Sequence, residues 1–156
     1  MDDTVITREG LARLNGELER LQTEGRLAVA ERLRRSTAED ANPFENGDYL
    51  AAREEQARLE RRIALLEARL GAASPVDPML GNGRVDVGER VRVRDLESGE
   101  RLVLELVGPH EADVTASRIS VASPLGRAVL GLRRGEVARV DAPRGRRHFK
   151  VLAVEA

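Results

Sequence analysis

The chain has 156 residues, enough for one domain or two small ones, and its net charge of −1 argues against a plain polyanion binder. Charged residues reach 34%, against roughly 25% in an ordinary globular domain, and aromatics only 2%, a balance that suits leucine-packed helices better than an aromatic core. The absence of cysteine excludes disulfides and thiolate metal sites, and no apolar run nears the roughly 18 residues that span a bilayer.

A helix is expected from Thr7, whose hydroxyl can cap a free backbone N–H. Leu11, Leu14, Leu18 and Leu21 then recur at spacings of 3, 4 and 3, an apolar seam that Ala28 continues. Asn42-Pro43 breaks the helix, because the residue before a proline is pushed out of helical geometry. A second helix begins near Gly47 or Asp48, repeats Leu59, Ile63, Leu66 and Leu70 at 4, 3 and 4, and stops at Gly71. Seams of matching length and register face each other in an antiparallel hairpin. Between the helices lies the polar stretch Glu39–Asp48 with its carboxylates, one proline and one glycine.

Residues 74–83 hold two prolines and two glycines without periodicity and read as a linker. The pattern then changes to alternation. Arg90-Val-Arg-Val-Arg94 is a half-buried strand, and 101–107, the short piece 113–114 and 118–121 are further extended segments. Ser123-Pro124 opens a short helix, serine at the cap and proline at the first helical position, which ends at Gly131. Segments 136–140 and 147–154 pair across the turn 142–145. The fold class is therefore α+β. A coiled-coil helical hairpin spans 1–73 with its tip near 40–48, a linker spans 74–83, and a small antiparallel sheet domain with one helix spans 84–156.

Taken in order, Thr7-Arg-Glu-Gly10, the leucine-seamed hairpin, Glu45-Asn-Gly-Asp-Tyr49, Ala51-Ala-Arg-Glu-Glu-Gln56 and Ile119-Ser-Val-Ala-Ser-Pro-Leu-Gly-Arg-Ala128 resemble the bacterial Gre transcript-cleavage factors over nearly the whole chain. The resemblance implies an FKBP-like C-terminal domain docked at the rim of the RNA polymerase secondary channel. It also implies a coiled coil that reaches down the channel, and two tip acids that help hold a second Mg²⁺ in the polymerase active site. Any RNA hydrolysis is then the polymerase's own, and the chain is not an enzyme by itself.

The family tip reads approximately Gly-Asp-Leu-Ser-Glu-Asn. Aligned on Glu45-Asn46, its first acid falls on Asn42, Glu45 keeps the second, and Pro43-Phe44 stand between. Asparagine is a poorer Mg²⁺ ligand than a carboxylate, and Asp40 lies two residues away. The tip candidates are thus Asp40, Asn42, Pro43, Phe44 and Glu45, with Glu45 and Asp40 as metal holders within the polymerase only. Arg32, Arg34 and Arg35 form a basic patch suited to phosphates near the RNA 3′ end, or a solvated face balanced by Glu31 and Glu39. Ser123, Pro124, Leu125, Gly126 and Arg127 form a helix cap that the resemblance also reads as a polymerase-docking surface. His110 and His148 lack metal-ligand spacing and are assigned to structure.

The reading that follows is a monomeric, cytoplasmic factor that binds RNA polymerase and regulates elongation or inhibits transcription without efficient transcript cleavage. It has no cofactor of its own and no membrane partner. The alternatives are an active cleavage-stimulating elongation factor and, in a different class, a coiled-coil dimerisation module. A prolyl isomerase is disfavoured because Phe149 is the one aromatic beyond residue 80.

Overall fold

A computed structural model describes residues 4–38, 46–77 and 82–155, and within it the chain groups into two compact units. One is formed by 12–72; the other joins 1–11 to 73–156.

The helical unit takes most of α1 (Arg8–Arg20), a π-helical turn at Leu21–Gly25, α2 (Arg26–Ala38) and α3 (Gly47–Ala72). Its α3 seam is a regular heptad pattern in which Ala52, Ile63 and Leu66 are buried and Tyr49, Gln56, Leu59 and Leu70 are half-buried. Burying a side chain such as Ile63 or Leu66 contributes about 1.5–3 kcal/mol. The facing seam follows Leu11, Leu14, Leu18 and Leu21 as the periodicity predicts, but Ala28 is exposed and Val29 is the buried residue. The π turn explains the shift: it holds one residue more than an α turn and so advances the buried face by one position. Gly25 sits where the inserted turn meets the other helix, and a Cβ there would lie 3.2 Å from Leu59 Cδ1. Side-chain bonds across the helices run Glu17 to Arg62, Arg26 to Glu60, Arg32 to Glu55 and Ser36 to Asn46. Positions rise along one helix as they fall along the other, so the hairpin is antiparallel. Gly71 lies within α3 rather than ending it.

In the second unit, β1 (Val5–Thr7) precedes the first helix and pairs in parallel with β2 (Ser74–Val76). The stretch expected as a linker therefore begins as a strand, and the first residues group with the C-terminal part of the chain instead of with the hairpin. Arg8 reinforces the pairing through a two-pronged ion pair with Asp77. The expected cap holds, since Thr7 Oγ1 accepts from the Gly10 N–H at 3.0 Å.

The main sheet contains β3 (Arg90–Asp95), β4 (Arg101–Val107), β5 (Arg118–Ser120), β6 (Val137–Ala142) and β7 (Gly145–Glu155), in the order β5-β4-β3-β7-β6. All pairs are antiparallel except β4 with the edge strand β5. Of the extended piece expected at 113–114, Asp113 is extended and bridges Arg118, but a 3₁₀ turn covers Val114–Ala116, because the Asp113 side chain accepts from the Thr115 N–H at 3.0 Å and turns the chain. Alternation fixes the sheet's faces. Val91, Val93, Leu104, Leu106, Ala138, Val140, Phe149 and Val151 point into a core shared with Val85, Val87, Val121 and Val129. The helix α4 (Pro124–Val129) contributes Val129, fully buried. Among the described residues no helix is long and apolar enough to cross a membrane.

Candidate functional site

The end of the hairpin is anchored by Asn46. Its Oδ1 accepts from the Tyr49 N–H at 3.1 Å and caps α3, while its Nδ2 donates to the Ser36 carbonyl on α2 at 2.6 Å. One side chain thus starts one helix and holds the other, at the root of the segment 39–45.

Beside this root lie the three arginines of the expected basic patch. Arg32 pairs with Glu55 of α3. Arg34 and Arg35 both reach Glu31, at 3.7 and 3.0 Å. The Arg35 hydrogen bond, its charge and that of Arg34 hold the Glu31 carboxyl below the usual carboxylate range. Arg34 and Arg35 remain more than three-quarters exposed. Exposed ion pairs of this kind are worth little and exchange readily for another anion, so the patch is balanced at rest and open to a phosphate.

The Ser123–Arg127 segment is built as its sequence predicts. Ser123 Oγ accepts from the Gly126 N–H at 3.1 Å and donates to the Ser120 carbonyl at 2.6 Å. Pro124 occupies the first turn, and Leu125 packs against the core. Gly126 is obligatory: a Cβ there would lie 2.0 Å from the Ser120 carbonyl oxygen. Ser123, Leu125 and Gly126 therefore hold the loop's shape, and Pro124 and Arg127 are the exposed members that it presents.

One cluster was not legible as a site. Glu111 accepts from the Thr7 N–H at 2.9 Å, the Gly108 N–H at 2.8 Å and the Thr7 hydroxyl. A Cβ on Gly10 would fall 1.8 Å from Glu111 Oε1, and one on Gly108 2.0 Å from the Val5 carbonyl oxygen. The available signal was the glycine pair, since only a residue without Cβ fits either position.

Residues 4–74 match the family described as transcription elongation factor, N-terminal, and residues 80–156 match that described as transcription elongation factor, GreA/GreB, C-term. The chain belongs to the GreA/GreB family of transcription elongation factors. The transcription elongation factor GreA of Ralstonia nicotianae is 39% identical over 157 residues, covering 99% of this chain and 99% of that protein. The GreA of Syntrophobacter fumaroxidans is 43% identical over 150 residues, covering 96% of each. Among solved structures, GreA factor homolog 1 of Thermus thermophilus is 37% identical, covering 98% of this chain and 99% of that chain, with a TM-score of 0.43.

In this GreA/GreB-family chain the tip candidates Asp40, Asn42, Pro43, Phe44 and Glu45 lie outside the described residues. Among the described residues no group of three or more His, Asp or Glu could hold a metal ion. The donors that the sequence puts at the tip are hard oxygens, which suit Mg²⁺, but Asp40 and Glu45 supply only part of a shell of six.

Proposed function

We propose that this GreA/GreB-family chain acts as a monomer that binds RNA polymerase, directs its hairpin tip into the secondary channel, and regulates elongation or inhibits transcription without efficient transcript cleavage. The observation that carries the reading is the tip sequence: Glu45 keeps one acid of the family pattern, and Asn42 replaces the other. The Asn46 bridge supports it, because it ties together the two described helix ends that flank the tip sequence.

Mg²⁺ shared with the polymerase active site would supply charge stabilisation for phosphoryl chemistry. Asp40 and Glu45 are the residues of this chain that would hold it. A neutral amide at Asn42 donates less charge than a carboxylate, so the tip recruits the ion weakly. Arg34 and Arg35 would release Glu31 to meet phosphates of the RNA 3′ end. Pro124 and Arg127, held out by the rigid cap, would meet the channel rim.

The test is a polymerase stalled in a backtracked complex with labelled RNA. Slower elongation without shortened RNA is the expected result. Shortened RNA would favour the second reading, an active cleavage-stimulating factor, which the kinship to proteins named transcription elongation factor GreA supports. No effect at any concentration would sink both. Sedimentation separates these from the dimerisation module: the bonds from α1 and α2 to α3 close within one chain, and an obligate dimer would count against the channel reading.

A further inference from the structure

The face of the main sheet opposite the core carries charge that the fold does not neutralise. Its register sets Arg94 directly opposite Arg101 on one side and Lys150 on the other. Arg139 stands beside them on β6, opposite His148 and two residues from Val137, which pairs with Lys150. All four cations are exposed. Other cations of this face sit among acids: Arg92 pairs with Glu155, Arg118 with Glu105 and Arg146 with Asp141, and Arg90 lies in register between Glu105 and Glu155. Among the described residues Arg94, Arg101, Arg139 and Lys150 take part in no ion pair.

Like charges directly opposite on neighbouring strands destabilise a sheet. Here three stand in one row at strand spacing, about 10 Å from first to last. Such a row fits a dense line of anions. Duplex DNA presents one charge per about 1.7 Å of its axis. The face offers no Phe, Tyr or Trp ring for bases to stack on, since Phe149 points into the core and the imidazole of His148 is held by Glu97, and so lacks what single-strand binders use. Arginine adds two-pronged geometry toward each phosphate.

We propose that this outward sheet face, centred on Arg94 between Arg101 and Lys150, binds the phosphate backbone of duplex DNA without reading its sequence. The inference goes beyond the channel reading and stands without it. It requires only that the sheet face be free while the chain is at work.

The test is fluorescence anisotropy of a labelled duplex of about 20 base pairs, titrated with the full chain from about 20 to about 200 mM salt. Engaging four cations gives a slope of about −4 for log affinity against log salt. Arg94→Gln with Lys150→Gln weakens binding at least about tenfold at low salt and reduces the slope by about 2. Arg20→Gln with Arg61→Gln, which removes two exposed cations from the helical unit, leaves both unchanged. Arg139→Gln alone, on an edge strand, reduces the slope by about 1 and serves if the double variant does not fold. Absence of salt-dependent binding, an equal loss in the helical variant, or tighter binding of a single strand than of the duplex would overturn the proposal.

Discussion

Glu111 receives both the backbone N–H and the hydroxyl of Thr7, a residue 104 positions earlier in the chain. That contact, with the Gly108 N–H, secures β1 against the turn that follows β4. Glu111→Ala leaves these donors without their acceptor and is expected to destabilise this unit by about 1–3 kcal/mol. Gly10→Ala drives a methyl into the same carboxylate and is expected to do likewise. Hydrogen exchange at Thr7 and Gly108 reads the effect directly. Unchanged protection of both amides in the Glu111 variant would show that the clamp carries no stability.

The π turn predicts an asymmetry between two one-residue deletions. Removing Thr23 converts Leu21–Gly25 to an ordinary turn and keeps Val29 in the seam, so helicity and melting temperature should change little. Removing Ala30 rotates Leu33 and Ser36 by about 100° away from α3 and should lower the melting temperature clearly. Circular dichroism on the pair decides it, and equal losses would mean that the extra residue in the turn does not set the register.

Asp95 predicts an acid limb to stability. Burial pushes its carboxyl up, but the Glu97 and Ser98 N–H groups and Arg147 outweigh that and hold it at about 2. The ionised form is therefore favoured by folding. Its stabilisation is complete above the ordinary value near 4 and is lost as pH falls through about 2, because the unfolded chain binds the proton first. Melting temperature followed across this window should fall less steeply for Asp95→Asn than for the unaltered chain. Parallel curves would remove Asp95 as the cause.

Asn42→Asp restores the family's first tip acid. In the backtracked-polymerase assay it is expected to raise RNA cleavage by about tenfold or more, equivalent to at least about 1.4 kcal/mol at the transition state. Glu45→Gln in the same background should abolish the gain. An Asn42→Asp chain that binds polymerase yet cleaves no faster would show that Pro43-Phe44, not the missing acid, sets the outcome.

Much of the architecture was readable because burial imposes periodicity. Arg90-Val-Arg-Val-Arg94 alternates in sequence as it does in exposure, and the α3 seam of Leu59, Ile63, Leu66 and Leu70 keeps its phase. Three features were not readable, each for a physical reason. The strands β1 and β2 have three residues apiece, too few to show a period, and their pairing joins segments on either side of the hairpin. The π turn leaves both halves of its helix apolar on one side, and only the phase of Val29 against Ala28 betrays it. Glu111 is a lone carboxylate near a Gly-Pro turn, where sequence favours a solvated role. At the candidate site, the Ser123 cap, the arginines near the tip and Glu31, which pairs with Arg34 and Arg35, were legible, while Glu55, the partner of Arg32, depends on the register between the helices.

The double duty of Asn46 makes the hairpin's end exchangeable. Closing a chain segment costs configurational entropy wherever its ends must meet, and here that closure is enforced by Ser36 and Asn46, outside residues 39–45. Those residues can then be rewritten without disturbing the seam below them. A seven-residue transplant from a cleavage-proficient relative would leave the melting curve of the arms intact while altering what they deliver, much as a drill shank accepts a different bit.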